Sequence, residues 1–71
     1  MITLEEQIAE ARRELALRRK VYPQWVKRGK LDMTTAHYQL QAMAAIVKTL
    51  ERLDAEARQM SLFTPHHEDL E

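Results

Sequence analysis

The chain has 71 residues, no cysteine, and eleven Lys/Arg balanced by eleven Asp/Glu. At this length one hydrophobic core supplies little stability, so a single domain that gains further burial from another chain is expected. Without thiols there is neither a disulfide framework nor a thiolate metal site to staple it, and a reducing compartment, the cytoplasm by default, fits best. The start, Met1-Ile2-Thr3-Leu4-Glu5-Glu6, lacks the basic-then-apolar pattern of an export leader. No apolar run approaches the roughly 20 residues that span a bilayer, so no membrane association is expected.

The neutral total hides a polarity: residues 1–30 hold eight Lys/Arg against four Asp/Glu, and residues 31–71 hold three against seven. A single Gly and two Pro among abundant Ala, Leu, Glu, Arg and Gln point to an all-α chain.

The first helix is expected from about residue 4 to 28. Thr3 and Glu6 are spaced as a capping box, in which the hydroxyl takes a free helix N–H and the carboxylate reaches back to the cap. Leu4, Ile8, Ala11, Leu15, Tyr22 and Trp25, flanked by Val21 and Val26, recur at spacings of three, four and seven, so they share one face that must be buried. Pro23 removes the N–H that would bond the Arg19 carbonyl, which predicts a kinked continuation or a break and restart. Because the spacing carries through Trp25 and Val26, the continuation is favoured, ending at Gly29, a residue suited to the left-handed conformation that closes helices.

Asp32 is the better N-cap for a second helix over about 33–62, with Thr34 the alternative. Ala36, Leu40, Met43, Val47 and Leu50 set its apolar stripe, widened by Ile46, Leu53, Ala57 and Met60 as the helical period drifts. Two long helices joined by so short a link must form an antiparallel hairpin over residues 1–63. Such a hairpin leaves apolar surface wet, which predicts a homodimer closing into a four-helix bundle. Pro65 is expected to stop the helix and leave residues 64–71 as a flexible acidic tail.

The run Arg18-Arg19-Lys20-Val21-Tyr22-Pro23-Gln24-Trp25-Val26, then Gly29-Lys30-Leu31 and the Ala36 to Leu50 stripe, resembles small helical proteins encoded by phages and prophages of proteobacteria. The resemblance covers about residues 5–53, with Val-Tyr-Pro-x-Trp-Val-x-x-Gly-Lys its distinctive part. It implies a phage-related accessory protein and a helical hairpin, and brings no catalytic residues.

Gln59-Met60-Ser61-Leu62-Phe63 is similar to the short peptide by which bacterial replication and repair proteins dock on the β sliding clamp. A chance occurrence in so short a chain is on the order of one in several thousand. In such docking the apolar pair, Leu62 and Phe63, fills a pocket while the Gln59 amide makes directional hydrogen bonds. The alternative is that Met60 and Phe63 extend the stripe of Leu53 and Ala57 and pack against the start of the first helix.

A second candidate interface is basic and aromatic: Arg18, Arg19, Lys20, Tyr22, Trp25 and Arg28. The alternative function is an adaptor or inhibitor that binds another host protein, of defence or transcription, through this face; cations also track phosphates and aromatics stack on bases, so nucleic acid or an acidic protein suits it too, while a solvated helix face with aromatic anchors explains the same residues. His66-His67-Glu68-Asp69 lacks a distant third ligand, so no metal site is expected. His37 has no acidic neighbour at helical spacing. Neither a phosphate-binding glycine loop nor a nucleophile with its base is found, and a non-enzymatic, cofactor-free protein is expected.

Overall fold

In the computed structural model, which describes the backbone of residues 1–69 and the side chains of residues 1–60, two helices follow one another: α1, Leu4–Lys27, and α2, Met33–Asp69. They lie antiparallel along each other, as the short connection requires. The expected all-helical hairpin is the observed architecture.

Each helix end is made by the residues placed to make it. At the start of α1 the Glu6 amide donates to Thr3 Oγ1 at 3.1 Å, and the Thr3 amide donates to Glu6 Oε1 at 2.8 Å, closing the capping box. At its end Gly29 takes φ +73°; its amide donates to the Val26 carbonyl at 3.0 Å, and the Lys30 amide to the Trp25 carbonyl at 2.8 Å. This pair of bonds is the Schellman closure, which satisfies carbonyls that a helix end otherwise orphans. Asp32 caps α2, accepting from the Thr35 amide at 3.1 Å through its carboxylate, while its carbonyl takes the Ala36 amide at 2.8 Å.

Pro23 lies inside α1 without interrupting it. The continued apolar spacing on both sides of the prolyl ring outweighs the one bond it deletes. The backbone of α2 likewise stays helical through Asp69, past the end near residue 62 that Pro65 predicts. A proline removes a single intrahelical bond and need not terminate a helix whose remaining residues favour one. The acidic tail expected at 64–71 thus falls largely within the helical backbone, and Glu71 and Leu70 lie outside the described residues.

Among the described residues Ile8, Ala11 and Leu15 of α1 and Ala36, Met43 and Val47 of α2 are buried, with Ala44 and Leu50 packed against them. Burying such side chains contributes roughly 1.5 to 3 kcal/mol for each of the larger ones. None falls below 2 % exposure, because a two-helix layer covers each core residue from one side only. The molecule is a rod of 65 × 21 × 15 Å with a radius of gyration of 18.1 Å, against about 11 Å for a compact domain of this length.

The wide stripe expected on α2 divides in two. Ala36, Leu40, Met43, Val47, Leu50 and Asp54, spaced four and three alternately, are all buried or half-buried and face α1. Ile46, Leu53 and Met60, spaced by sevens, are 48 %, 43 % and 67 % exposed, so the expectation that they share the same buried face is corrected. Ile46 and Leu53 lie one position before the core-facing Val47 and Asp54, about 100° round the helix and away from α1. Trp25, expected in the buried face of α1, is also 41 % exposed, since the chain turns away at Gly29 before α2 begins.

Candidate functional site

At 1.5 Å per residue α1 is about 36 Å long and α2 about 55 Å, so α2 outruns its partner. The first turn of α1 reaches the level of Arg58 and Gln59: Glu5 and Ile8 line a cleft of about 800 Å³ with Arg12, Glu51, Asp54, Arg58 and Gln59. α1 itself begins only one residue before Glu5, at Leu4. The pentamer Gln59-Met60-Ser61-Leu62-Phe63 begins at this step. Gln59 is exposed and Met60 is 67 % exposed, so Met60 does not pack into the core against the start of α1. The side chains of Ser61, Leu62 and Phe63, and of His66 and His67, lie outside the described residues.

The cleft itself is lined by charges that largely neutralise one another. Arg12 Nε donates to Glu51 Oε2 at 2.9 Å, tying α1 to α2, and Arg58 pairs with Asp54 at 3.0 Å one turn away. These pairs are mostly solvated and contribute modestly to stability.

The second candidate set separates into two groups. Arg18 and Tyr22 belong to the hairpin's own interface: the Arg18 guanidinium donates to the Gln39 main-chain carbonyl at 3.1 Å and to Glu14 Oε2 at 2.8 Å, and Tyr22 donates its hydroxyl to Gln39 Oε1 at 3.2 Å. The Arg18 guanidinium also sits 5.9 Å from the Tyr22 ring centroid, and Tyr22 stacks on Trp25 with centroids 5.6 Å apart and planes at 27°. Arg19, Lys20, Lys27, Arg28 and Lys30, by contrast, are exposed and make no ion pair among the described residues. The C-terminal end of a helix carries partial negative charge, which favours cations such as Lys27 and Arg28.

No family, curated protein or solved structure matches this chain. The reading of its surface therefore rests on its own residues.

Leu17 falls outside the apolar stripe of α1 that spacing reveals. It is 50 % exposed and lies with Val21, Trp25, Arg18 and Tyr22 around a shallow hollow of about 160 Å³. Its spacing of four from Val21 carried the signal, but the charged neighbours around it diluted the apolar pattern. On the other side, Tyr22, Val26, Met33, Ala36, His37 and Leu40 line a small apolar cleft at the loop end. His37 sits at its rim, exposed. Among the described residues no cluster of three His, Cys, Asp or Glu side chains is placed to hold a metal, and no helix is long and apolar enough to cross a membrane.

Proposed function

We propose that this chain is a non-catalytic, phage-type accessory protein that docks on another protein through Gln59-Met60-Ser61-Leu62-Phe63, and that its partner is the bacterial β sliding clamp. The observation that supports this reading is the overhang: the pentamer begins where α1 ends beside α2, with Gln59 and Met60 exposed. A linear motif must be reachable, and core packing would have hidden it.

Docking as an extended segment requires the end of α2 to unwind from about Gln59. Pro65 helps, because its missing N–H leaves the Ser61 carbonyl without its helical donor. Burial of Leu62 and Phe63 contributes roughly 1.5 to 3 kcal/mol each, and ordering the segment takes part of it back. The two side chains supply at most about 6 kcal/mol, so the expected micromolar affinity, near −8 kcal/mol at about 1 μM, needs the directional hydrogen bonds of Gln59 as well. A homodimer would offer two such segments to a multivalent ring and gain by avidity.

The test is calorimetric titration of the whole protein, and of a peptide spanning Arg58 to Pro65, into purified β sliding clamp. Micromolar binding by both, lost in Leu62→Ala/Phe63→Ala with unchanged helicity, is the expected result. Absence of binding by the peptide and the protein alike sinks the reading.

A further inference from the structure

Among the described residues the second apolar seam of α2 is left largely exposed, Ile46 at 48 % and Leu53 at 43 %. Ile46, Leu50, Leu53 and Ala57 follow the alternating four-and-three spacing of a helix-packing stripe, offset from the stripe that α1 covers and sharing Leu50 with it. A helix with two overlapping seams is built to lie between two neighbours, and α1 is only one of them. The apolar residues of α1 outside the core, Leu17, Val21 and Trp25, lie on the same side of the hairpin. Gln39, seven residues before Ile46 and so on the same face of α2, is held by Arg18 and Tyr22, which border the hollow that Leu17, Val21 and Trp25 line.

The first half of α2 adds an independent sign. Residues 33–50 contain Lys48 as their one Lys, Arg, Asp or Glu. Depletion of charge around a helix marks an interface rather than a solvated rod.

We propose that a second copy of this chain covers this face, head to tail, through Leu17, Val21 and Trp25 of one protomer and Ile46, Leu53 and Ala57 of the other. Three observations select that occupant and that direction. The apolar residues of α1 lie toward the loop end and those of α2 toward the open end, so reversing the second hairpin sets one group on the other. Charge agrees: residues 16–42, around the loop, hold six Lys/Arg against one Asp/Glu, whereas residues 1–15 and 43–60 hold five against seven. A head-to-tail pair lays the basic end of each copy on the acidic end of its partner; a parallel pair sets like on like. Area agrees too. The chain exposes 6087 Å², against about 4,600 Å² for a compact protein of its mass, a surplus larger than the roughly 800 Å² each partner gives to a standard interface. This dimer is independent of the docking proposal and leaves the ends of α2 projecting from opposite ends of the pair.

The test is sedimentation equilibrium of the full chain across micromolar concentrations, with a spin label on Lys30→Cys to measure the loop-to-loop distance. The absence of native cysteine makes that label unique. A dimer with loops more than about 35 Å apart, roughly the length of α1, is expected. Leu17→Lys and Ile46→Glu, both at half-exposed positions that the hairpin core does not need, should each weaken the dimer at least tenfold while circular dichroism stays helical. Leu62→Ala/Phe63→Ala should leave the mass unchanged, which separates this result from the docking test. A monomer at every concentration, a dimer indifferent to both face variants, or loops within about 20 Å, as adjacent packed helices would hold them, overturns the proposal.

Discussion

The guanidinium of Arg18 donates to the main-chain carbonyl of Gln39 at 3.1 Å across the two helices. With its bond to Glu14 and its place beside the Tyr22 ring, this arginine is a strut of the hairpin at least as much as a surface charge. Charge-assisted bonds of this kind are stronger than neutral ones. Arg18→Ala is therefore expected to lower stability by about 1 to 2 kcal/mol in urea unfolding, a discounted figure because the side chain remains partly solvated. Little change would show that the Gln39 carbonyl is equally well served by water.

The same contact decides how the basic surface should be probed. Arg19→Glu/Lys20→Glu alters charges that make no ion pair among the described residues, so it should leave unfolding unchanged while weakening any anionic partner. Arg18→Glu should damage the fold as well. If a nucleic acid binds here, its affinity falls steeply with added salt; a gel shift at low salt that is absent for every oligonucleotide tried removes that partner class.

Gly29 isolates a conformational cost. Its φ is +73°, and a Cβ added there meets nothing within 4 Å. Gly29→Ala should cost about 1 to 2 kcal/mol through left-handed strain alone, shortening the stability curve without altering the helix content of the folded protein. A Gly29→Asn variant should recover part of it, since asparagine tolerates that region better.

Leu15 lies in the cluster with Ala11, Met43 and Val47. Leu15→Ala should cost about 2 to 5 kcal/mol, a large part of what a chain this small holds. Thermal melts should show it mostly unfolded, and the proposed dimer, where it forms, would make the melt depend on protein concentration by mass action.

Glu10 and Arg13 pair at 2.7 Å, and the hydrogen bond and charge of Arg13 hold the Glu10 carboxyl below its ordinary value. A carboxyl depressed in the folded state adds stability above its unfolded value and loses that addition as pH falls through the folded one. Both groups are fully exposed, so salt should erase most of the effect. Carboxyl titration by NMR should find Glu10 moving upward in Arg13→Ala; an unmoved value would detach the shift from Arg13.

The elements themselves were legible in the sequence because their signals are local. Thr3 with Glu6, Gly29 and Asp32 act on backbone groups within a few residues, so spacing alone reveals the helix ends. The core positions from Ile8 to Val47 follow from periodicity for the same reason. The end of α2 was less legible, since a single proline competes with the propensity of the surrounding residues.

By itself the sequence determined that this chain makes two helices, where they start, where α1 stops, and the apolar positions from which the shared core is drawn. Tertiary structure alone decided which apolar residues are left over. Whether Ile46 and Leu53 are core or surface depends on the direction from which α1 arrives, and a stripe wider than one helix can cover looks continuous in one dimension. It likewise took the packing of the two helices to bring Gln59 level with the first turn of α1 and leave Met60 mostly exposed, and an arginine's path across the interface to turn Arg18 from a surface charge into a strut. Those outcomes depend on distances between residues far apart in the chain, which no local pattern carries.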